Sequence, residues 1–96
     1  MIKHVVMWKF KEENREENMK KTREMLLALP PVISEIKKME VHFDITHTAA
    51  SADVMLDTEF LTVEDLQTYA VHPEHLKVAE FVKSVVLSRV VLDSEI

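Results

Sequence analysis

The chain contains no glycine and no cysteine, and each absence excludes a class of function. Phosphate-cradling loops and dinucleotide-binding turns need glycine so that backbone can approach phosphate closely. A P-loop or Rossmann site is therefore excluded. Without cysteine there is no disulfide framework and no thiolate chemistry, as expected of a protein in a reducing cytoplasm. No apolar run approaches the roughly 18 residues of a membrane span. The opening ten residues are too short and too interrupted by charge for a signal peptide. Basic side chains are outnumbered 12 to 17 by acidic ones, for a formal charge of −5. That argues against nucleic-acid backbones and anionic membranes as partners. Hydrophobic residues nevertheless make up 47% of the 96 positions, enough to build a modest core. The expectation is one soluble, cytoplasmic domain spanning 1–96.

Periodicity organises the rest. From Lys3 to Phe10, His4, Val6, Trp8 and Phe10 point one way while Lys3, Val5, Met7 and Lys9 point the other, which predicts a strand. Glu12 to Leu29 reads as a helix with Met19, Thr22, Met25, Leu26 and Leu29 inward. Pro30-Pro31 stops it, because neither ring lets a helix continue. A short turn over 32–37 directs Ile33 and Ile36 inward. Met39, Val41, Phe43 and Ile45 alternate with Glu40, His42 and Asp44 in a second strand, and a polar loop over 46–52 leads to a third strand at 53–60. There Val54, Leu56, Thr58 and Phe60 share a face. Thr62-Val-Glu-Asp65 has the form of a capping box with aspartate for glutamate, so a helix starts at Val63 with Leu66, Tyr69 and Ala70 inward. A further helix opens at Pro73 with His75, Val78, Ala79 and Val82 inward, and a final strand runs from Val85 to Asp93.

This order, β-α-β-β-α-β with the second helix broken at His72-Pro73, predicts an α+β, ferredoxin-like fold: a four-stranded antiparallel sheet with helices on one face. The other face carries Lys3, Lys9, Glu40, His42, Asp44, Asp57, Glu59 and Arg89, interspersed with Val5, Met7 and Met55. Such a face is either solvated or meets a second copy of itself in a homodimer.

The densest cluster of chemically capable side chains is Tyr69-Ala-Val-His72-Pro73-Glu-His75. Spacing of three places neighbouring members on adjoining helical turns. Together with the opening Lys3-His4-Val5-Val6-Met7-Trp8-Lys9-Phe10 and the element order, this signature resembles the stress-responsive A/B barrel family of the dimeric α+β barrel superfamily. The resemblance implies that two sheets meet through their free faces. It also implies kinship with a plant polyketide cyclase that works without metal or cofactor. That cyclase's catalytic tyrosine and histidine match Tyr69 and His75, its first-strand histidine matches His4, and its third-strand pocket histidine falls near Val54.

Two functions follow. In the first, His75 takes a proton from a carbon beside a carbonyl, Tyr69 hydrogen-bonds the developing enolate, and His4, Trp8 and His72 bind a small, polyketide-like substrate. In the second, the protein is a noncatalytic oligomeric stress-related or ligand-binding protein. A structural role for Tyr69 and His75, each satisfying the other inside the core, also stays open. His72 sits where a side chain meets the free amides of a helix start. His72 and His75 lack a third ligand for zinc, so no metal is expected.

Overall fold

The computed structural model describes residues 1–96. Strand β1 (Ile2–Phe10) is followed by helix α1 (Arg15–Leu27), strands β2 (Lys38–Phe43) and β3 (Val54–Phe60), helices α2 (Val63–Val71) and α3 (Pro73–Val85), and strand β4 (Val86–Glu95). The sheet has the order β2-β3-β1-β4, with every neighbouring pair antiparallel. This is the ferredoxin-like arrangement that the element order predicts.

Alternation decides which side of the sheet the helices cover. Val6, Trp8 and Phe10 on β1 and Val54, Leu56 and Phe60 on β3 are buried, joined by Leu26, Leu29 and Ile33, by Tyr69 from α2, and by Val78 and Val82 from α3. Thr58 and Thr22 are also fully buried; each hydroxyl donates to a carbonyl, of His4 and Asn18 respectively, so neither polar group is stranded. Thr62 caps α2 by accepting a hydrogen bond from the Asp65 amide, as its capping-box sequence predicts.

Four local expectations give way. Helix α1 begins at Arg15 rather than Glu12, because Asn14 takes a left-handed conformation (φ 51°) that a right-handed helix cannot include. In a chain without glycine, Asn14 and His47 (φ 52°) supply the positive φ angles; both residue types tolerate that region better than most. Strand β2 stops at Phe43. The Asp44 carboxylate there accepts from the His47 amide at 2.7 Å and turns the chain, leaving Ile45 exposed. Ala70 is exposed rather than inward, since Tyr69 alone fills the inner face at the end of α2.

The fourth correction matters most for the site. Arg89, expected on the open face, pairs with Trp8 in the β1–β4 ladder and so lies on the helix side. The open face near β4 instead shows Val90 opposite Met7 and Leu92 opposite Val5. Lys3 bridges Asp57 (3.0 Å) and Glu59 (3.3 Å) on that face, with Lys38 beside them.

Candidate functional site

Between the sheet and α3 lies a cavity of about 500 Å³. Its wall includes His4, Val6 and Trp8 from β1, Tyr69 from α2, His75, Val78 and Lys83 from α3, and Arg89 from β4. Of the five residues singled out from the sequence, four thus converge on one space: Tyr69, His75, His4 and Trp8. His72 does not. Its Nδ1 accepts a hydrogen bond from the Glu74 amide at 3.1 Å, so the side chain caps α3 beside Pro73, and it is absent from the cavity wall. The expectation of a substrate-binding His72 is replaced by this capping role. The break serves the site, because it lets α3 start afresh and bring His75 back over Tyr69.

The state of His75 follows from its partner. Its Nδ1 lies 3.0 Å from the Ala70 carbonyl, which can only accept, so Nδ1 carries the hydrogen and the neutral ring keeps its lone pair on Nε2. Burial pushes the imidazole below its ordinary pKa, opposed by the Ala70 bond and assisted by the charges of His4, Arg89 and His72. His75 is therefore a neutral base at physiological pH. The exposed main chain of Ala70, unremarkable in the sequence, fixes this tautomer.

Tyr69 is 1% exposed, and its ring lies 4.2 Å from that of His75, tilted by 40°. Phe60 packs at 5.1 Å against it. The Tyr69 hydroxyl is buried and has no hydrogen-bond partner. Tyr69 and His75 stack, but they do not satisfy each other by a hydrogen bond. Burial raises the phenol well above its ordinary pKa, only partly offset by Arg89, so the hydroxyl keeps its proton and can act as a donor.

His4 is held from the opposite edge of the chain. Asp93 faces it across the β1–β4 ladder, and its Oδ1 lies 2.5 Å from Nδ1 of His4. A carboxylate accepts, so His4 presents Nδ1–H to Asp93. The His4 ring packs edge-on to Tyr69 at 6.3 Å. Sequence reasoning misses Asp93 and Lys83 in this neighbourhood and places Arg89 on the wrong face of the sheet. No three His, Asp or Glu side chains come together in a metal-binding arrangement.

The model of the stress responsive A/B barrel domain matches residues 2–96. A dimeric, ferredoxin-like protein of unknown function from Bacteroides fragilis superposes with a TM-score of 0.91 at 30% identity, over 99% of this chain and 95% of its own. A hydroxynitrile lyase from Passiflora edulis superposes at 0.88 with 18% identity, over 99% and 92%. A protein from Arabidopsis thaliana does so at 0.87 with 20% identity, over 100% and 95%. At such identities the last two show a common fold and no more. A search of curated proteins finds no match. No helix is long and apolar enough to cross a membrane.

Proposed function

The chain belongs to the stress-responsive A/B barrel domain family, and from that premise we propose that it binds a small, mostly apolar carbonyl compound in the cavity and moves a proton on it without a cofactor. His75 Nε2 takes the proton from the carbon beside the carbonyl. The Tyr69 hydroxyl donates to the oxygen on which negative charge develops, and His4, oriented by Asp93, and Trp8 hold the substrate. Aldol closure of a cyclase-like kind begins with this step. The observation that carries the reading is the buried, unpartnered Tyr69 hydroxyl beside a neutral His75. A buried donor without an acceptor costs about 1–3 kcal/mol, a cost that a ligand oxygen would remove.

The working unit in this proposal is a cytoplasmic homodimer closed through the open sheet faces. Its support is the dimeric state of the Bacteroides fragilis protein and the apolar Met7, Val90 and Leu92 left exposed on that face.

A second reading, noncatalytic ligand binding, is favoured by one fact: the Tyr69 hydroxyl has almost no accessible surface, so a substrate reaches it only if neighbouring side chains move. Hydrogen–deuterium exchange separates the two. Octan-2-one incubated in D₂O with the protein gains deuterium beside its carbonyl faster than in buffer if His75 is a base. Binding without exchange assigns the noncatalytic role.

A further inference from the structure

The cavity wall is opposite in charge to the chain as a whole. The protein is acidic, yet the wall contains Lys83 and Arg89 and no carboxylate at all. These cations come from different elements: Arg89 stands opposite Trp8 on β4, and Lys83 is the basic residue in the last turn of α3. They therefore approach one space from its floor and from its roof. Neither makes a salt bridge within the chain, whereas Lys3 and Lys38 on the open face are both engaged by carboxylates. The remaining wall is mainly hydrophobic, 10 of its 15 residues.

We propose that Arg89, assisted by Lys83, is a carboxylate-binding subsite, and that the natural ligand is an apolar molecule ending in a carboxylate. This rests on the reading of the cavity as a ligand site and adds what enters it and which way round. A guanidinium offers a planar fork of donors that matches a carboxylate in two parallel hydrogen bonds, while an ammonium adds a second positive charge at no geometric cost. The apolar walls suit the body of such a molecule. Orientation also follows. Arg89 lines the same cavity as Tyr69 and His75, so an end anchored at Arg89 leaves the rest of the molecule beside that pair.

The test uses the whole chain and two isosteric probes, octanoate and octanamide, titrated while following the fluorescence of Trp8, the only tryptophan and itself part of the wall. The expected result is octanoate binding about tenfold or more tighter than octanamide, the worth of one charge-assisted hydrogen bond. Arg89→Gln is expected to abolish that preference by weakening octanoate more than octanamide, and Lys83→Gln to reduce it. Arg89 is exposed, so folding is expected to survive, and a melting curve checks this; Lys83→Gln provides an independent arm on a different element. Equal binding of the two probes overturns the carboxylate subsite and leaves the cavity reading standing. A preference that persists in both variants places the anion elsewhere and also overturns it. If neither probe perturbs Trp8 up to millimolar concentration, the cavity reading fails and the subsite with it.

Discussion

Asp93 and His4, 89 positions apart in sequence, meet at 2.5 Å because the β1–β4 ladder sets them directly opposite each other. The pair fixes which nitrogen of His4 holds the proton. Removing the carboxylate in Asp93→Ala releases that constraint, and the neutral His4 ring is expected to shift from the Nδ1–H tautomer towards Nε2–H. Long-range nitrogen–proton correlation of the imidazole reads this directly. Because Asp93 is half exposed, the stability change should stay within about 1 kcal/mol. An unchanged tautomer would mean that Asp93 does not orient His4 in solution.

Trp8 provides a second test. It is 6% exposed, lies under the helices and forms part of the cavity wall. Trp8→Ala is expected to cost about 3–5 kcal/mol by enlarging an existing void. A loss well under ~1 kcal/mol in chemical denaturation would place Trp8 at the surface and reverse the orientation of β1.

What the sequence makes legible here follows from how strongly a residue's neighbours constrain it. Alternation in β1 and β3 is clean because each strand has one buried and one solvent-side face, so His4, Trp8 and Thr58 are assigned correctly. The Tyr69…His75 signature carries its own punctuation in Pro73. Strand β4 offers no such contrast. It is an edge strand, nearly every residue of which is exposed, and a register shift opposite Lys9 and Phe10 inserts Leu87 and changes the count. Arg89 therefore cannot be sided by periodicity. Asp93 leaves no local trace either, because its partner is supplied by a ladder between the two ends of the chain. Asn14 and Ile45 mislead for a smaller reason: helix and strand patterns continue in the sequence past the point where one left-handed residue or one side-chain hydrogen bond ends the element.

The open face should associate. Val5 and Leu92 face each other across β1 and β4, as do Met7 and Val90, with Val90 and Leu92 about two-thirds exposed. Sedimentation at micromolar concentration is expected to give twice the mass of one chain, and Leu92→Asp to give one. The interface should bury at least ~1,000 Å² in total. A wild-type monomer at that concentration overturns the dimer.

His75 ties stability to pH. Its folded pKa is depressed, chiefly by burial, so between that value and the unfolded value near ~6.5 the unfolded chain binds more protons than the folded one. Stability therefore declines as pH falls from about 6.5 through the folded pKa, and stops changing once both states carry the proton. The depressed carboxylates act lower: Glu40, hydrogen-bonded by His42, and Asp44, held by the His47 amide, stabilise the fold until they are protonated below about pH 4. Thermal melts between pH 7 and pH 5 are expected to fall for the wild type and to flatten over that interval in His75→Gln. An equal slope in both proteins would remove His75 as its source.

The Tyr69–His75 pair admits the sharpest test, because its two roles predict opposite patterns. The Tyr69 hydroxyl has no partner in the folded protein, so Tyr69→Phe removes no hydrogen bond and discards a buried polar atom. The melting temperature should hold or rise. His75→Leu gives up one hydrogen bond, to the Ala70 carbonyl, and should cost no more than about 1–2 kcal/mol. Against that near-neutral background, a catalytic pair predicts that α-carbon exchange or cyclisation of a bound carbonyl compound falls by roughly 10²–10⁴-fold in the histidine variant. It also predicts a fall in Tyr69→Phe, since the enolate loses its donor. A structural pair predicts the reverse. Each single change would then destabilise the fold, and Tyr69→Phe combined with His75→Leu would restore much of the loss through a wholly apolar contact. Recovery of stability in the double variant, with ligand binding intact throughout, assigns the two rings to packing. A stable Tyr69→Phe that binds but no longer turns over assigns them to chemistry. The unpaired hydroxyl favours the second pattern, because packing alone gives no reason for a tyrosine where phenylalanine would fill the same space.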